Sequence, residues 1–144
     1  MLFRSNTING YLNAWSIAQH SDVYMTSWLT EPAFIIGVLL FFAGMALNKI
    51  SDRTLARLAR SRRETGAYQV PYGGAYRWVS CPNYLGEIIQ WTGWAIACWS
   101  LAGWVFAIWT MANLVPRAIA HHRWYQEQFD DYPPERKALV PYVL

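Results

Sequence analysis

The chain has 144 residues, of which 54% are hydrophobic, 17% aromatic and 15% charged, and its formal net charge is +3. This length leaves room for one domain, and the charged share is well below the roughly 25% typical of soluble domains. Lipid is therefore the expected solvent, a large soluble core being the alternative, and the nine Trp and nine Tyr are typical of side chains that gather where a bilayer meets water.

The first predicted element is part of an apolar helix over residues 5–17. It begins almost at the first methionine, so we expect a truncated membrane span there. The N-terminus carries no charged leader followed by an apolar core and a small-residue cleavage site, so we predict no signal peptide.

The second predicted element is a membrane span over residues 32–47. This segment contains no charged residue and begins with Pro32, which suits a first helical turn. Because a span needs about 20 residues, we expect Trp28, Leu29 and the turn through Ile50 to complete the crossing.

A polar and basic region follows this span. Asn48 and Asp52 lie four residues apart on the same predicted helix and hence on one face. We expect the helix to continue through a basic run over residues 53–63, and a turn-rich loop over residues 66–74 to follow it.

The basic residues are unevenly distributed. Residues 49–77 contain seven basic residues and two acidic ones, whereas residues 19–31 contain no Lys or Arg. By the positive-inside rule the basic loop is cytoplasmic and residues 19–31 lie on the far side. The alternative, a nucleic-acid-binding patch, is disfavoured because apolar segments flank the basic residues.

Residues 84–119 hold two charged residues and would measure more than about 50 Å as one straight helix. That length exceeds one crossing, so we predict a hairpin of two helices, over residues 84–99 and 102–128, with a break at residues 100–103. The hairpin returns the tail to the side of the basic loop. The predicted fold class is all-α, a multi-helix transmembrane bundle with a C-terminal helical hairpin and an interfacial basic loop.

One polar stripe lies on the first helix of this hairpin. A carboxylate deep in a membrane costs a few kcal/mol, so such groups usually face a protein interior and serve a function. Glu87 is such a group, and Asn83 and Gln90 share its helix face at spacings of four and three residues. The alternative is a structural role, because amide side chains also join membrane helices.

A second stripe lies on the last predicted helix. Arg117, His121 and Tyr125 repeat at four-residue steps and place a cation, an imidazole and a phenol on one face. Arg offers a planar fork for phosphate oxygens, His can donate one or two N–H groups, and Tyr can form a hydrogen bond or stack on a ring. The set suits a nucleotide, and a solvated interfacial face is the equally compatible alternative.

We predict no metal site. His121 and His122 are adjacent, so they point about 100° apart on a helix, and the one further His, His20, lies on the opposite side in this topology. Cys81 and Cys98 lack metal-ligand spacing and are interpreted as ordinary small apolar residues. No GxGxxG or P-loop motif is present, so a dinucleotide would not bind through a Rossmann unit.

Several motifs resemble the steroid 5-alpha-reductase family. The stretches SCPNYLGEIIQWTGWAIACWS and RAIAHHRWYQEQFDDYPPERKALVPYVL resemble the C-terminal signature of that family. The similarity extends upstream through QVPYGGAYRWVS, GMALNKISD and, more weakly, NGYLN, and so covers nearly the whole chain. The resemblance implies a helical membrane bundle that holds NADPH and a lipid-like enone in one internal cavity.

The resemblance also assigns cofactor contacts to residues of this chain. They are Asn48, Asp52, Tyr68, Asn83, Glu87, Arg117, His121, Tyr125 and Arg136. Two departures from the family matter. Gln69 stands where members often carry a basic residue, and the stretch from Asp52 to Tyr68 is slightly longer than usual, so that an expected arginine contact falls near Arg60.

The resemblance identifies residues 1–144 as the cofactor-binding C-terminal portion of the family. In the family the Glu and Tyr that hydrogen-bond the substrate ketone come from N-terminal helices, so we expect that half as a missing partner and assign no catalytic residues. The implied function is NADPH-dependent reduction of the carbon–carbon double bond of a 3-oxo-4-ene steroid or similar lipid enone, with the fragment inactive alone. The alternatives are a membrane methyltransferase of the isoprenylcysteine type and a non-enzymatic lipid-binding helical bundle.

The implied location is a multi-pass integral membrane protein. The host membrane would be the endoplasmic reticulum in a eukaryote and the inner membrane in a bacterium, with the basic loop and the C-terminus cytoplasmic. The expected partners are membrane lipid and the enone substrate, and not nucleic acid.

Overall fold

A computed structural model describes residues 2–22 and 24–144 of the chain. The described residues fold into four α-helices, which are α1 Leu2–Gln19, α2 Pro32–Thr65, α3 Pro82–Cys98 and α4 Leu101–Gln128. Short 3-10 turns, Thr26–Thr30 and Gly74–Arg77, lie between them. Over these ranges there is no strand, and one isolated bridge joins Val79 to Lys137. The all-α prediction is confirmed.

α2 is one unbroken helix of 34 residues and is therefore about 51 Å long. It begins with Pro32 in its first turn. The N–H groups of a first turn have no partner within the helix, so a proline there costs no helical hydrogen bond. It ends at Thr65, and the left-handed φ of 72° at the following Gly66 lets the Gly66 N–H donate to the Arg62 carbonyl. The predicted span and the predicted basic run are thus parts of one continuous helix. The loop predicted after it is confirmed.

The segment before α2 differs from the prediction. Trp28 and Leu29 do not extend the helix but lie in the 3-10 turn, and Glu31 is in an extended conformation between that turn and α2. The turn packs on the end of α3 instead, where the Trp28 indole N–H donates to the Ala97 carbonyl at 3.1 Å. The hydrogen bond of the Trp28 indole is therefore made outside α2, in line with the tendency of a buried indole N–H to find an acceptor.

The predicted division into two helices is confirmed, with helix ends within two residues of the expected ones, but the break lies at Trp99 and Ser100, and residues 101–103 already belong to α4. α3 stops before Trp99, which adopts a left-handed φ of 46°. Ser100 then caps α4, its hydroxyl oxygen accepting a hydrogen bond from the Gly103 N–H at 3.1 Å. A serine in this position starts a new helix at once, so the connection between α3 and α4 is very short.

α2 and α3 run antiparallel with almost no side chain between their backbones. Gly37 and Gly44 on α2 lie against Gly93 and Gly86 on α3, and a Cβ on any of the four would strike the backbone of the other helix. At Gly86 such a Cβ would lie 2.5 Å from the backbone nitrogen of Asn48. Small residues of this kind allow close helix approach in membranes. Both pairs have a seven-residue spacing, which is a sequence signal for this contact that the prediction does not include.

The other helices pack around this pair. α3 lies between α2 and α4, and α1 contacts α4. The Trp94 indole on α3 donates to the side-chain oxygen of Asn13 on α1 at 3.3 Å. The helix predicted over residues 5–17 is therefore present as part of α1.

The C-terminal tail, residues 129–144, returns to the segment that precedes α3. The Ser80 N–H donates to the Lys137 carbonyl at 2.8 Å, and the Lys137 N–H donates to the Trp78 carbonyl at 3.0 Å. Leu139, 2% exposed, anchors the tail in the core. The tail is thus an integral part of the bundle.

Among the residues that the structure describes, α2 alone is long and apolar enough to cross a membrane, with a mean hydropathy of 2.0 over 18 residues. α3 has 17 residues, fewer than the ~20 of a full span. Apolar side chains are nevertheless exposed on the outer faces of α2 and α4, among them Leu39, Phe42, Val105 and Ile108. α2 is therefore the one candidate span among the described residues, and the transmembrane bundle stays a prediction.

Gly86→Ala tests the close packing of α2 on α3. The added methyl group would overlap the Asn48 backbone, so we expect a loss of about 1–3 kcal/mol in the free energy of unfolding. Gly10→Ala is the matched control, because Gly10 lies in α1 with nothing within 4 Å of an added Cβ and gains helix propensity. Thermal unfolding followed by circular dichroism in detergent micelles gives both values. An unchanged midpoint for Gly86→Ala contradicts the contact.

Candidate functional site

A chain of hydrogen bonds joins α2 to α3. The Asn48 side-chain amide donates to the backbone carbonyl oxygen of Asn83 at 3.1 Å. The Asn83 side-chain amide in turn donates to Asp52 Oδ1 at 3.2 Å. These short side chains can reach across because the backbones meet at Gly86, one turn from Asn83. Three of the predicted site residues are thus brought together.

α4 joins this cluster through α3. The Tyr84 hydroxyl lies 3.4 Å from His121 Nε2. Glu87 is half-buried, and its carboxyl group lies close enough to Asp52 and Arg117 to feel the charge of each. The stripes predicted on α3 and α4 are therefore neighbours in the fold.

A groove of about 540 Å³ lies between the basic end of α2, the loop that follows it and α4. Leu55, Leu58, Tyr68 and Tyr125 are among its lining residues. The Arg62 guanidinium stacks on the Tyr68 ring, 3.4 Å from its centroid. Burial raises the pKa of Tyr125 to about 12, so its phenol stays neutral. The groove therefore offers aromatic faces and cations side by side.

Of the ten predicted site residues, Tyr68 and Tyr125 line this groove and six belong to the polar cluster between the helices, whereas Arg60 and Arg136 lie in neither. Arg60 is exposed and does not line it, whereas Arg62 and Arg63 do. Arg136 is 2% exposed, and its Nη1 donates to the Pro71 carbonyl at 3.0 Å. The structure thus brings Arg62 and Arg63, rather than Arg60, to the groove, and it places Arg136 beneath the loop that precedes α3.

Three site neighbours are missing from the sequence prediction. Tyr84 lies about 100° around α3 from Asn83, so the polar stripe does not include it. Arg62 is one of five arginines in residues 53–63, and no pattern distinguishes it. Tyr132 stacks on Tyr125 with ring centroids 5.4 Å apart and planes 7° apart, a contact that only the return of the tail creates.

Both cysteines are buried and free. Burial raises the pKa of the Cys81 thiol to about 12, so this thiol stays neutral near physiological pH. The structure agrees with their interpretation as small apolar residues.

The chain matches the sequence model of a family described as 3-oxo-5-alpha-steroid 4-dehydrogenase over residues 1–144. It is 44% identical over 144 residues to steroid 5-alpha-reductase DET2 of Arabidopsis thaliana, covering 99% of this chain and 54% of that protein. It is 46% identical over 138 residues to 3-oxo-5-alpha-steroid 4-dehydrogenase 1 of Rattus norvegicus, covering 96% and 52%. The resemblance read from the motifs is confirmed, and the chain spans about half the length of the curated relatives it matches.

The pH dependence of stability tests the surroundings of His122, which lies beyond the apolar part of α4. Burial, and secondly the charge of Lys137, lowers the pKa of His122 from its ordinary 6.5. The folded state therefore binds fewer protons than the unfolded chain in the window below 6.5, and stability falls as the pH drops through that window. We expect the Tm to fall more steeply from about pH 8 to about pH 5.5 in the wild type than in His122→Gln. Equal slopes contradict the assignment.

Proposed function

Because this chain belongs to the 3-oxo-5-alpha-steroid 4-dehydrogenase family, we propose that it supplies the NADPH-binding half of a membrane reductase. That reductase saturates the carbon–carbon double bond of a 3-oxo-4-ene steroid or a similar lipid enone. The supporting observation is the meeting of polar side chains from α2, α3 and α4 around Asn83 and Tyr84, beside a groove lined by aromatic rings and arginines.

The cluster fits a phosphorylated dinucleotide by the chemistry of its donors and acceptors. Asn48, Asp52 and Asn83 carry amide and carboxylate groups that hydrogen-bond ribose hydroxyls or a carboxamide. Arg117 and His121 are exposed on the neighbouring helix, and they offer N–H donors to phosphate oxygens. These groups come from helices, so binding needs no Gly-rich phosphate loop.

The groove fits the base and phosphate end of the same ligand. Tyr68 and Tyr125 present ring faces on which a purine can stack, and Arg62 and Arg63 carry positive charge beside them. In this arrangement the nicotinamide end lies toward the Asn83 cluster. The departure at Gln69, which removes one basic residue expected in the family, is offset by these two arginines.

The role of this chain in the reaction is to bind and orient the cofactor. NADPH supplies the hydride when it is bound. Transfer of that hydride also requires donors, set in advance, that stabilise the charge developing on the enone oxygen. The described residues offer no convincing donor pair for that oxygen. We therefore assign its polarisation to helices outside this chain, in line with the length of the relatives.

The same proposal includes a multi-pass arrangement. The apolar part of α2 crosses the bilayer and its basic end lies in the cytoplasm, as the positive-inside rule requires. α3 and α4 cross as a hairpin, so that the tail is also cytoplasmic. The exposure of apolar residues such as Leu39, at 65%, and Val105, at 58%, supports contact with lipid or with further helices. The host is the endoplasmic reticulum in a eukaryote or the inner membrane in a bacterium.

Co-expression with the N-terminal half of a curated relative tests the division of labour. We expect the chain alone to bind NADPH weakly or not at all and to reduce no enone, because the carbonyl donors are elsewhere. The combined halves should oxidise NADPH only when a 3-oxo-4-ene steroid is present, measured by absorbance and by steroid product. Replacing NADPH with S-adenosylmethionine tests the methyltransferase alternative. Full turnover by the chain alone contradicts the proposal.

Arg117→Ala tests the phosphate contact in the combined enzyme. Loss of one charged hydrogen bond should raise the Kd of NADPH about tenfold, corresponding to about 1.4 kcal/mol. Arg123→Ala is the matched control, since Arg123 also lies on α4 but points about 120° away. A Kd measured by fluorescence titration that rises equally in both variants indicates a general effect of charge and contradicts a specific contact.

A further inference from the structure

The Ser80 hydroxyl is the centre of a buried hydrogen-bond network that none of the predicted contacts includes. Ser80 is 3% exposed, and its Oγ lies 2.6 Å from His122 Nδ1 and 2.6 Å from the Tyr132 hydroxyl. It also donates to the Lys137 carbonyl at 3.1 Å. The network thus joins three parts of the chain, which are the segment before α3, α4 and the tail.

The Lys137 carbonyl determines the direction of the other two hydrogen bonds. A hydroxyl has one proton and two lone pairs, and Ser80 gives its proton to this carbonyl. All three contacts are satisfied together when His122 donates its Nδ1–H and Tyr132 its O–H to the Ser80 oxygen. In this arrangement the Ser80 proton points to a carbonyl rather than to a base, so Ser80 is not set up as a nucleophile.

Tyr132 connects this hydrogen-bond network to the groove, because its ring contacts Tyr125. Its ring stacks on Tyr125 with centroids 5.4 Å apart and planes 7° apart, and the Arg136 guanidinium lies 5.2 Å from its centroid. Tyr125 in turn lines the groove. Because Tyr132 is only 7% exposed, a shift of its ring would change the support of Tyr125.

We propose that Ser80 and Tyr132 are positioning residues that hold the tail against α4 and fix the Tyr125 ring at the wall of the groove. The C-terminal tail then supports the wall of the groove through Tyr132, in addition to carrying Arg136. This inference rests on the proposed function, since it takes NADPH as the ligand that Tyr125 contacts. What it adds is that the position of the Tyr125 ring depends on the Ser80 hydroxyl, which itself contacts no ligand.

A double-mutant cycle on the enzyme combined with the N-terminal half of a relative tests this dependence. Ser80→Ala should raise the Kd of NADPH about tenfold, and Tyr132→Phe, which keeps the stacked ring and removes only the hydroxyl, should do the same. In a Tyr125→Ala background, Ser80→Ala should change the Kd by less than about twofold, because the residue through which it acts is gone. At saturating NADPH, kcat should stay within about twofold of the wild-type value in both single variants.

Ser100→Ala is the matched control for stability. It removes another buried serine hydroxyl, which caps α4 at the opposite end. It should lower the Tm and leave the Kd of NADPH unchanged. Should Ser80→Ala fail to fold, the cycle is run with Tyr132→Phe in its place.

The outcomes separate the two levels of the proposal. Wild-type affinity in Ser80→Ala and Tyr132→Phe, or an equal loss when Tyr125→Ala is also present, overturns the positioning role and leaves the proposed function standing. Absence of NADPH binding by the wild-type combined enzyme overturns the proposed function, and the positioning role with it. A tenfold loss that disappears in the Tyr125→Ala background supports both.

Discussion

Backbone contact between α2 and α3 sets the geometry of the candidate site. Gly44 and Gly86 let the helices approach until an added Cβ on either would overlap the other backbone. Asn48 and Asn83 have short side chains, and an amide of that length can bridge two helices only where the backbones are close. The glycines and the asparagines therefore act together, because the glycines bring the backbones close and so shorten the distance that the asparagine side chains must span. A bulkier residue at the contact would separate the helices and break the bridge at the same time.

The length of α2 determines where charge is displayed. Its apolar part and its basic part form one helix without an internal break, so the arginines are held at a fixed distance from the apolar part rather than on a separate loop. The cation of Arg62 is also held by the Tyr68 ring, and Tyr68 contacts Trp124 on α4. In the proposed topology this basic end faces water, which is the side from which a dinucleotide would enter the groove.

The parts of the fold that depend on local chemistry could be predicted from the sequence. Pro32, Gly66 and Ser100 mark helix ends because each changes which backbone groups can bond within a few residues. Helical spacing likewise selects Asn83 with Glu87. The position of Arg62 relative to Arg60 could not be predicted, because both satisfy the same basic pattern, and the path of the loop determines which one meets Tyr68. Contacts made by irregular segments could not be predicted either, since the bond from Ser80 to Tyr132 spans 52 positions and that from Arg136 to Pro71 spans 65. Periodicity describes neighbours on one helix and carries no information on where a non-helical tail returns.

The exposure of the polar cluster explains why the proposed function requires more protein than this chain. Asp52, Arg117 and His121 are exposed to solvent, whereas hydride transfer to an enone is favoured in a site from which water is excluded. Covering these groups needs further elements that pack on α3 and α4, and exposed apolar residues on α4, such as Ile108, at 60%, provide a surface for them. The same elements could bring the donors for the enone oxygen. One packing event would then close the cavity and complete the chemistry, so cofactor affinity and turnover should both depend on it.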